Sequence, residues 1–489
     1  MTQLSYSSLK QLPAEKIKLP NYLNGDTTPE IGIVHLGPGA FFRGHQAWYT
    51  HKAMALAGGN WGISCVSMHS QGVQKALQPQ NGLYTLAVLD EQTEFELIGA
   101  VQEVLVSHQD YDQVLLRLTN PKTRFVTMTI TEKGYCLDNE GKLDLAHSDI
   151  KADLQAAKKV SAIGLLVEAL SIRKNEGIAP FTAMSCDNLT DNGKKLRAAL
   201  ITYAKQFDES LASWLEEQLI CPCSMVDSIT PATNDELRAQ VSNELGIEDN
   251  WPIKRESFVQ WVIEDILPSD KPAWEQAGAT FTSDVRGFEN AKLRLLNCPH
   301  STMAYLGVLA GIETVYDAMQ NEKLVDFIQA MVDQEVIPSF TAPKELNAQQ
   351  YMQDILQRFR NPAICHLLAQ IAWDGSQKLP MRILPIIEQN LKNDLAIDKL
   401  ACAIVAWCLF IRKRYSSGEE LVDPLADKML AIAAKCNNEP AHDIQLFLQL
   451  TEVFGTWLPQ QATFVSHLTT AYASLVPVLT SGEINWQAL

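Results

Sequence analysis

A short apolar segment that runs directly into a glycine turn constrains the fold of this chain more than any other feature. Residues 31–36 read I-G-I-V-H-L and are followed by Gly37, Pro38 and Gly39. A β-branched strand, a glycine turn and then a helix, here to about Leu56, open a dinucleotide-binding βαβ unit. The glycines let the backbone approach a pyrophosphate, and the helix N-terminus favours its negative charge. The segment therefore predicts a Rossmann-type α/β domain in the N-terminal part of the chain.

The glycine fingerprint is incomplete, and the residues around it do not decide between two cofactors. Phe42 stands at the third glycine position of G-x-G-x-x-G. A site for NAD usually carries Asp or Glu at the end of the second strand, whereas a nearby arginine accommodates the 2′-phosphate of NADP. The second predicted strand, Trp61–Val66, is followed by residues 67–70, which read S-M-H-S. On these residues alone, NAD and NADP both stay open.

Polar residues follow two further predicted strands. Residues 131–133, T-E-K, come directly after the buried run 125–130, and Asn188 ends the run P-F-T-A-M-S-C-D-N. In a doubly wound sheet, ligands lie beyond the carboxyl ends of the strands. These residues are therefore candidates for contact with a cofactor or a substrate. The alternatives are a polar turn bounded by Gly134 and, for Asn188, a cap on the next helix.

The nonapeptide Lys292–His300, K-L-R-L-L-N-C-P-H, carries the polar groups that a carbonyl/alcohol redox site needs. Lys292 could exchange the alcohol proton if a semi-apolar pocket lowered its pKa, and Asn297 could donate to the oxygen. Pro299 predicts a break near Asn297, which would cap a new helix and share a face with His300. On spacing alone, a surface lysine, a cap asparagine and a core histidine also fit this segment.

The chain is long enough for two domains, and its two parts differ in pattern. A length of 489 residues exceeds the usual limit for a single core. Residues 83–106 alternate apolar and polar and predict a β-hairpin inserted into the first domain. After Lys292 the apolar spacing is almost wholly helical, without a fixed repeat. We therefore predict a Rossmann-type domain at 1–284 and an all-α domain at 285–489, with the active site in the cleft between them.

Seven apolar-periodic stretches predict the helices of the second part. They are Ala304–Asn321, Leu324–Val336, Ala348–Phe359, Ile364–Trp373, Ile383–Leu391, Ile397–Lys413 and Leu425–Cys436. Two segments beside these stretches, Arg358–Pro362 and Asp374–Arg382, carry several polar groups and are predicted as loops.

Charge and cysteine usage exclude several classes of partner. The net charge of -17 argues against nucleic acid or an anionic membrane, and an anionic substrate would need a local basic pocket. Cys221 and Cys223 form a lone C-x-C, which is weak evidence for a metal site. The N-terminus lacks a signal-peptide apolar run, and the apolar stretch Leu400–Ile411 is too short to span a bilayer. We expect a cytoplasmic protein with reduced thiols that acts on a small molecule.

Several motifs together resemble the long-chain mannitol dehydrogenase family over nearly the whole chain. They are K-x4-N-x2-H from Lys292, G-x-G-x-F-x-R-x-H-Q from Gly37, S-M-V-D-S-I-T-P at residues 224–231 and T-E-K-G-Y-C at residues 131–136. This family includes mannitol 2-dehydrogenases and fructuronate reductases; its lysine is the general acid/base, and it uses no metal. Ser228 stands where the family usually has arginine, which weakens any role carried over to that position.

The resemblance implies a role for each candidate residue. The implied catalytic residues are Lys292, Asn188, Asn297 and His300. Glu289 lies three residues before Lys292 on the same helical face, and this spacing alone makes it a candidate proton relay or an ion-pair partner of the lysine. The implied cofactor contacts are Gly37, Gly39, Phe41, Arg43, Thr131, Glu132 and Asp227. The implied substrate contacts are Lys133, Lys378, Arg360 and Arg382, with Arg358 as a further candidate, because arginine pairs bidentately with a carboxylate.

The resemblance also implies a reaction, namely hydride transfer between a nicotinamide cofactor and a secondary carbinol carbon of a linear sugar derivative. NAD is the implied cofactor, and NADP is not excluded. The motifs T-E-K-G-Y-C, S-C-D-N and D-G-S-Q-K-L-P favour the fructuronate-reductase branch, which makes D-mannonate from D-fructuronate. The alternatives are a mannitol or arabinitol 2-dehydrogenase for neutral polyols, and a nucleotide-binding protein without catalysis. A monomer or weak homo-oligomer is expected.

Overall fold

The computed structural model describes residues 2–23, 28–90, 92–363 and 366–489. The chain separates into two compact units, Met1–Arg286 and Gly287–Leu489. The predicted boundary after residue 284 falls beside this division.

A five-stranded parallel sheet forms the centre of the first unit. Its strands lie in the order Val101–Val106, Gly62–Ser67, Ile31–Leu36, Phe125–Met128 and Thr182–Ser185. The chain begins this sheet in the middle strand, fills one side and then returns to fill the other. The carboxyl ends of Ile31–Leu36 and Phe125–Met128 therefore flank the topological switch point, where ligands of such sheets bind. The arrangement is the predicted Rossmann type.

Both faces of the central strands of this sheet are buried, which explains why most of their residues are apolar or small. Val34 and Leu36 pack into one apolar cluster with Val126, whereas Ile33 and Phe125 pack into another. Alternate residues of a strand point to opposite faces, so a sheet covered on both sides favours apolar residues at successive positions rather than at every second one. The helices of this unit are Ala40–Gly44, Gln46–Ala57, Gly72–Leu77, Tyr111–Thr119, Ser148–Gln155, Ala162–Asn175, Asn192–Ala204, Glu209–Gln218 and Asp235–Leu245.

The predicted hairpin at residues 83–106 is only partly correct. Tyr84–Leu89 and Glu94–Ile98 pair antiparallel in a four-stranded sheet, but Val101–Val106 is a strand of the main parallel sheet. Apolar and polar residues alternate in the same way in the antiparallel pair and in Val101–Val106. The alternation therefore identifies strands but not the strands with which they pair. The other strands of the smaller sheets are Thr2–Gln3, Ile17–Lys18, Ser224–Asp227, Ile247–Glu248, Ile253–Glu256, Gln260–Glu264 and Thr280–Thr282.

The second unit is helical, as predicted. Its helices of eight or more residues are Cys298–Leu309, Glu322–Met331, Ala348–Phe359, Gly375–Arg382, Leu384–Lys392, Asp398–Ser417, Ala426–Ala433, Pro440–Phe447 and Ala462–Leu475. The shorter ones are Val315–Met319, Leu368–Ile371, Thr451–Phe454 and Val478–Ser481. The apolar stretch Leu400–Ile411 lies in the longest helix and is buried along its whole length.

Two predictions in this unit need correction. Asp374–Arg382 is a helix over Gly375–Arg382, although Pro380 lies inside it. Proline and glycine in one short segment predicted a loop. Pro380 is the sixth residue of the helix and removes one hydrogen bond, to the carbonyl of Ser376, but the Asp423 carboxylate fixes the first turn by accepting from the N–H and hydroxyl of Ser376. The predicted helix Ile364–Trp373 begins at two residues outside the described part of the chain, and the described helix there is Leu368–Ile371.

One stretch, Ala462–Ser481, is long and apolar enough to cross a membrane by length and composition alone. It contributes Phe464, Leu468 and Tyr472 to the buried interior of the second unit. The hydroxyl of Tyr472 donates to the buried Asp443 carboxylate at 2.6 Å. These contacts are typical of a core helix.

Candidate active site

The segment that carries Lys292 is a continuous helix with one widened turn. The α-helix Val285–Lys292 passes through a π-helical turn, Leu293–Asn297, into the α-helix Cys298–Leu309. As predicted, a new α-helix starts directly after Asn297 and has Pro299 in its first turn. The predicted cap is wrong, because Asn297 has right-handed helical backbone angles and its side chain makes no capping hydrogen bond, so the helix is not interrupted there.

The π turn explains how the helix continues towards Pro299. In regular α-helical register, a proline at this position would lack its N–H and would press its ring on the carbonyl four residues earlier. Here the N–H of Cys298 donates to the carbonyl of Leu293, five residues back, so the register has changed before the proline is reached. The same solution recurs at the π-helical turn Val332–Val336, which also ends two residues before a proline, Pro338.

The extra residue of the π turn brings the predicted polar residues onto one face of the helix. In a regular α-helix, five residues turn through about 500°, so Lys292 and Asn297 would lie roughly 140° apart. One inserted residue restores an effective spacing of about four, which leaves them roughly 40° apart. His300 then lies about two turns beyond Lys292, and Glu289 lies about one turn before it. The π turn therefore places the three residues of the K-x4-N-x2-H motif in a single stripe along the helix.

We call Glu289, Lys292, Asn297 and His300 together the stripe, and all four are buried or half-buried. Lys292 is only 8% exposed, whereas Asn297 and His300 are half-buried. Within the described residues, neither the Asn297 amide nor the His300 imidazole makes a hydrogen bond to another side chain or to the backbone. Half-buried polar groups without an internal partner are suited to bind a ligand oxygen.

His300 lies among aromatic rings and cations. Its ring centroid is 5.1 Å from that of Phe359 and 5.3 Å from that of His366. Burial lowers the pKa of His300 well below its usual value, and nearby positive charge lowers it further. The groups that contribute this charge are, in decreasing order, His366, Arg382, Arg358 and Lys378. The imidazole is therefore neutral at neutral pH and offers one N–H donor and one acceptor nitrogen.

Lys378 and Arg382 form a cationic pair on the helix Gly375–Arg382. Four residues apart, they share one helical face. Arg382 Nη1 donates to Ser301 Oγ at 3.0 Å, directly beside His300, and Lys378 Nζ donates to the carbonyl of Ile371 at 3.1 Å. Burial lowers the pKa of both cations. No carboxylate of the described segments lies within 4.0 Å of either charge, which leaves both cations able to bind an anion.

The start of this helix is fixed tightly, which sets the direction of the cationic pair. Ser376 donates to the Asp423 carboxylate through its N–H at 2.8 Å and its hydroxyl at 2.5 Å. A Cβ at Gly375 would lie 2.3 Å from Trp407 Nε1 and 2.8 Å from the Tyr305 hydroxyl, so only glycine fits there. Asp423 also acts on Lys378 by raising its pKa, after the larger lowering effects of burial and Arg382.

The other two candidate arginines differ in position. Arg360 is exposed at the C-cap of the helix Ala348–Phe359. Arg358 lies in the last turn of that helix, is half-buried and contributes to the lowered pKa of His300. The structure therefore favours Arg358 over Arg360 as a neighbour of the stripe, the reverse of the sequence-based preference.

The glycine turn at the switch point of the parallel sheet has the geometry of a phosphate-binding turn. Gly37 has φ +89°, and a Cβ there would lie 2.2 Å from the carbonyl oxygen of Thr129. The Gly37 carbonyl accepts from Thr129 Oγ1 at 2.7 Å and lies 3.2 Å from His35 Nε2. Gly39 is exposed, and a Cβ there would meet only the Gly37 carbonyl, at 3.9 Å. The turn is thus rigid at Gly37 and open above Gly39.

Phe42 and Arg43 both pack inside the first unit. Phe42 replaces the third glycine and stacks on His35 with 3.5 Å between ring centroids. Arg43 is 2% exposed, and its Nη1 donates to the Trp251 carbonyl at 2.8 Å. Its guanidinium also lies over the rings of Tyr84 and Trp251. This enclosure does not favour the predicted contact of Arg43 with the cofactor phosphates, which stays a prediction. Phe41 is half-buried and stacks on the His45 ring at 4.9 Å.

Thr131 has a strained backbone at the carboxyl end of the Phe125–Met128 strand. Its angles, φ 64° and ψ 164°, belong to a region that is essentially restricted to glycine. Such a conformation costs about 1–3 kcal/mol and is unusual for a β-branched residue. Two hydrogen bonds of 3.0 Å, from the N–H groups of Ile130 and Thr131 to the Asp187 carboxylate, hold it. Thr131, Glu132 and Lys133 are all exposed.

Asn188 is exposed directly after Asp187, in the turn that follows the Thr182–Ser185 strand. The alternative that it caps the next helix is excluded, because the N-cap of Asn192–Ala204 is Asp191. Asn192 has the structural role instead: its amide donates to the carbonyls of Ser185, Asp187 and Ser224.

Asp227 and the candidate metal ligands lie elsewhere in the first unit. Asp227 is buried at the end of the Ser224–Asp227 strand, outside the main parallel sheet, and Ser228 beside it donates to the Phe258 carbonyl at 3.0 Å. Among the described residues, one group could hold a metal ion, namely Cys136, His147 and Asp149. His300 is not part of that group.

Two family models cover most of the chain. Residues 31–276 match the mannitol dehydrogenase Rossmann domain, and residues 284–476 match the mannitol dehydrogenase C-terminal domain. The chain belongs to the mannitol dehydrogenase family. The predicted family membership and the predicted fold class, an α/β Rossmann-type domain followed by an all-α domain, are both confirmed. As a member of this family of dehydrogenases, the chain is an oxidoreductase.

Curated members of the mannitol dehydrogenase family align with nearly the full chain. D-mannonate oxidoreductase of Escherichia coli strain K12 is 39% identical over 458 residues, which are 91% of this chain and 93% of the relative. Mannitol 2-dehydrogenase of Neosartorya fischeri is 33% identical over 485 residues, which are 96% of each chain.

Two solved structures of similar proteins share this fold. Pseudomonas fluorescens mannitol 2-dehydrogenase, in a ternary complex with NAD and D-mannitol, has a TM-score of 0.80, 33% identity and 98% coverage of both chains. A D-sorbitol dehydrogenase in substrate-free form has a TM-score of 0.88 and 31% identity, with 96% of this chain and 97% of that chain covered.

Four residues that shape the site of this mannitol dehydrogenase family member were not predicted from the sequence. They are His35, Asp187, Asn192 and His366. In the sequence, Asp187 is only the end of a strand, and His366 follows the R-F-R-N-P segment without any regular spacing. Their roles depend on contacts between distant segments, which spacing along one helix or strand does not reveal.

Proposed function

We propose that this chain catalyses the NAD-dependent, metal-independent reduction of D-fructuronate to D-mannonate, together with the reverse oxidation. The relative named D-mannonate oxidoreductase, 39% identical over most of both chains, supports this substrate. The observation that carries the choice of a sugar acid is the cationic pair Lys378–Arg382 beside His300.

The glycine turn fits a dinucleotide. Its rigid Gly37 and open Gly39 would let main-chain N–H groups approach the pyrophosphate. Thr131 and Glu132, at the neighbouring strand end, would contact the ribose or nicotinamide side. When bound, the reduced cofactor NADH would supply the hydride for the carbonyl carbon, and NAD would accept it in the reverse oxidation. The complex of mannitol 2-dehydrogenase with NAD supports this cofactor. NADP is not excluded, since residues 67–70 carry neither an acid nor an arginine. Phe41 and Asp227 stay predicted contacts.

Lys292 is the proposed general acid in reduction and general base in oxidation. Its burial keeps water away from the amine, so its proton is exchanged with a bound oxygen. The Asn297 amide, on the same stripe and without an internal partner among described residues, would donate to the oxygen on which charge develops. Neutral His300 would orient a neighbouring hydroxyl, and Glu289 would relay protons to Lys292. Asn188 stays a predicted second donor.

The cationic pair supports recognition of a carboxylate. A guanidinium removed from water needs an anion or several acceptors, and Arg382 has one hydroxyl contact and no carboxylate within 4.0 Å among the described residues. Lys378, on the same helical face, adds a second positive charge. A neutral polyol would leave the Arg382 guanidinium without a carboxylate partner, whereas the carboxylate of a uronate would neutralise its charge. Lys133 and Arg360 stay predicted substrate contacts.

Replacing Arg382 by methionine should lower kcat/KM for D-fructuronate about a hundredfold, the effect of losing one charge-assisted hydrogen bond of about 1.5–3 kcal/mol. The value for D-fructose, which has no carboxylate, should change much less. Steady-state NADH oxidation with both sugars measures this difference. Lys435→Met, which removes an exposed cation of the same unit, is the matched control. An equal loss of kcat/KM for both sugars would show that Arg382 does not bind the substrate carboxylate.

A neutral polyol or ketose is the second candidate substrate class. The mannitol 2-dehydrogenase relative, 33% identical over 96% of each chain, favours it, as does the solved complex with D-mannitol. Asp374 and Asp423 also act on Lys378 by raising its pKa, so part of the positive charge has acidic neighbours within the unit. A mannitol or arabinitol 2-dehydrogenase would use the same Lys292 chemistry. The cytoplasmic location and the monomeric or weakly oligomeric state stay predictions.

A further inference from the structure

The turn after the Phe125–Met128 strand is shaped by a carboxylate from the neighbouring strand. Asp187 Oδ1 accepts from the N–H of Thr131, and its Oδ2 accepts from the N–H of Ile130, both at 3.0 Å. Oδ2 also accepts from the Tyr135 hydroxyl at 2.6 Å. A single carboxylate thus holds both ends of the segment 130–135, including Thr131 in its glycine-like conformation.

This carboxylate is itself held firmly in place. The Tyr135 hydroxyl, fully buried, also lies 2.6 Å from Ser185 Oγ. The carbonyl of Asp187 accepts from the Asn192 amide at 3.2 Å, and that buried amide joins the strand to Ser224 as well. The turn Thr131–Lys133 is therefore fixed relative to the interior of the first unit, although its own side chains are exposed.

Asp187 also connects two groups of candidate site residues. Its side chain holds the turn that presents Thr131, Glu132 and Lys133, while its own backbone leads directly into the exposed Asn188. Both turns lie at the carboxyl ends of adjacent parallel strands, beside the switch point. A displacement of either turn would change the spacing between them.

We propose that Asp187, supported by Tyr135, is a positioning residue that holds Thr131 in its strained conformation and fixes the spacing between the Thr131–Lys133 turn and Asn188. This inference rests on the proposed function, because it assigns these turns to the ligand-binding edge of the sheet. Asp187 touches neither substrate nor cofactor in this role. Its carboxylate has two oxygens for three donors, and an amide cannot replace it, since an amide presents one acceptor and one donor group.

The test is a double-mutant cycle between positions 187 and 131. In the wild-type background, Asp187→Asn should lower kcat/KM for the sugar about a hundredfold, as expected for misplacement of reacting groups by about 1 Å. In the Thr131→Gly background, whatever its own activity, the same change should lower kcat/KM only about tenfold. The reason is that glycine adopts the observed angles without strain and so depends less on the carboxylate. An equal loss in both backgrounds would overturn the proposal.

A second readout does not depend on any substrate. Hydrogen exchange of the intact protein should become about tenfold faster in the segment 129–136 of Asp187→Asn, while the helix Asp235–Leu245 stays unchanged. If Asp187→Asn does not fold, Tyr135→Phe, which removes one of the three hydrogen bonds, should give a smaller increase in the same segment. Unchanged exchange in the folded variants would overturn the positioning role. A wild type that reduces neither D-fructuronate nor D-fructose would instead reject the proposed function, with the exchange result still deciding the role of Asp187.

Discussion

Replacement of Lys292 by alanine should lower kcat by about 10³-fold or more, because general acid–base catalysis contributes about 10²–10⁴-fold. Lys292 is buried at the junction of an α-helix and a π turn, on one stripe with Asn297 and His300. Alanine is a good helix former, so the helix should persist. Binding of NADH should also persist, since the proposed cofactor turn at Gly37 lies in the other unit. Stopped-flow reduction and NADH titration by fluorescence measure the two effects separately.

The matched control is Lys323→Ala, which removes an exposed lysine from a helix of the same unit. It should leave both kcat and NADH affinity within about twofold, as surface substitutions usually do. Full activity of Lys292→Ala would contradict the proposed acid/base role. A variant that loses NADH binding together with turnover would indicate a structural role. Retained binding with lost turnover would also exclude the idea of a nucleotide-binding protein without catalysis.

Replacement of Asn297 by alanine should lower kcat by about 10²–10³-fold with little effect on stability, because one oxyanion donor contributes about that much. Its amide makes no hydrogen bond within the described chain, so removing it breaks no internal contact. The effect should appear in kcat more than in KM, since the donor acts on charge that develops during the reaction. Thermal unfolding and steady-state kinetics on the same preparations measure both quantities.

Asn321 provides the contrast, because it is a true helix cap. Its side chain accepts from the Leu324 N–H at 3.2 Å at the start of Glu322–Met331. Asn321→Ala should therefore destabilise the protein by about 1 kcal/mol while kcat stays unchanged. If Asn297→Ala behaved like Asn321→Ala, with a lower melting temperature and a normal kcat, Asn297 would be a structural cap and its proposed catalytic role would be wrong.

The fold was largely predictable because its main signals are local. The run I-G-I-V-H-L before Gly37 identifies a buried strand and a turn that tolerates only glycine, and helical spacing identifies much of the second unit. The errors arose where one local pattern allows two tertiary settings. Val101–Val106 alternates like the hairpin before it but joins the parallel sheet. Gly375–Arg382 contains Pro380 and is nevertheless helical, since Asp423 fixes its first turn.

The candidate site was predictable in residue type but not in geometry. Residues five apart, such as Lys292 and Asn297, do not lie on the same face of a regular α-helix. Pro299 is the one residue of this segment that points to the π turn, and its effect is clear only once the structure is known. Burial of Arg43 depends on Trp251, more than two hundred residues away, which no local pattern could reveal. The same holds for Asp187, whose role depends on the backbone of Thr131 in a different strand connection.

Reduction of a sugar acid by this oxidoreductase is tested most directly by comparing two sugars as substrates. NADH oxidation by the wild type should be followed at neutral pH with D-fructuronate and with D-fructose side by side, and then with NADPH. We expect rapid turnover of D-fructuronate and a kcat/KM about a hundredfold lower for D-fructose, because only the uronate carboxylate would pair with Arg382. We also expect a preference for NADH over NADPH. A preference for D-fructose would contradict the proposed reduction of a sugar acid, and would make Lys378 and Arg382 structural cations of a polyol dehydrogenase.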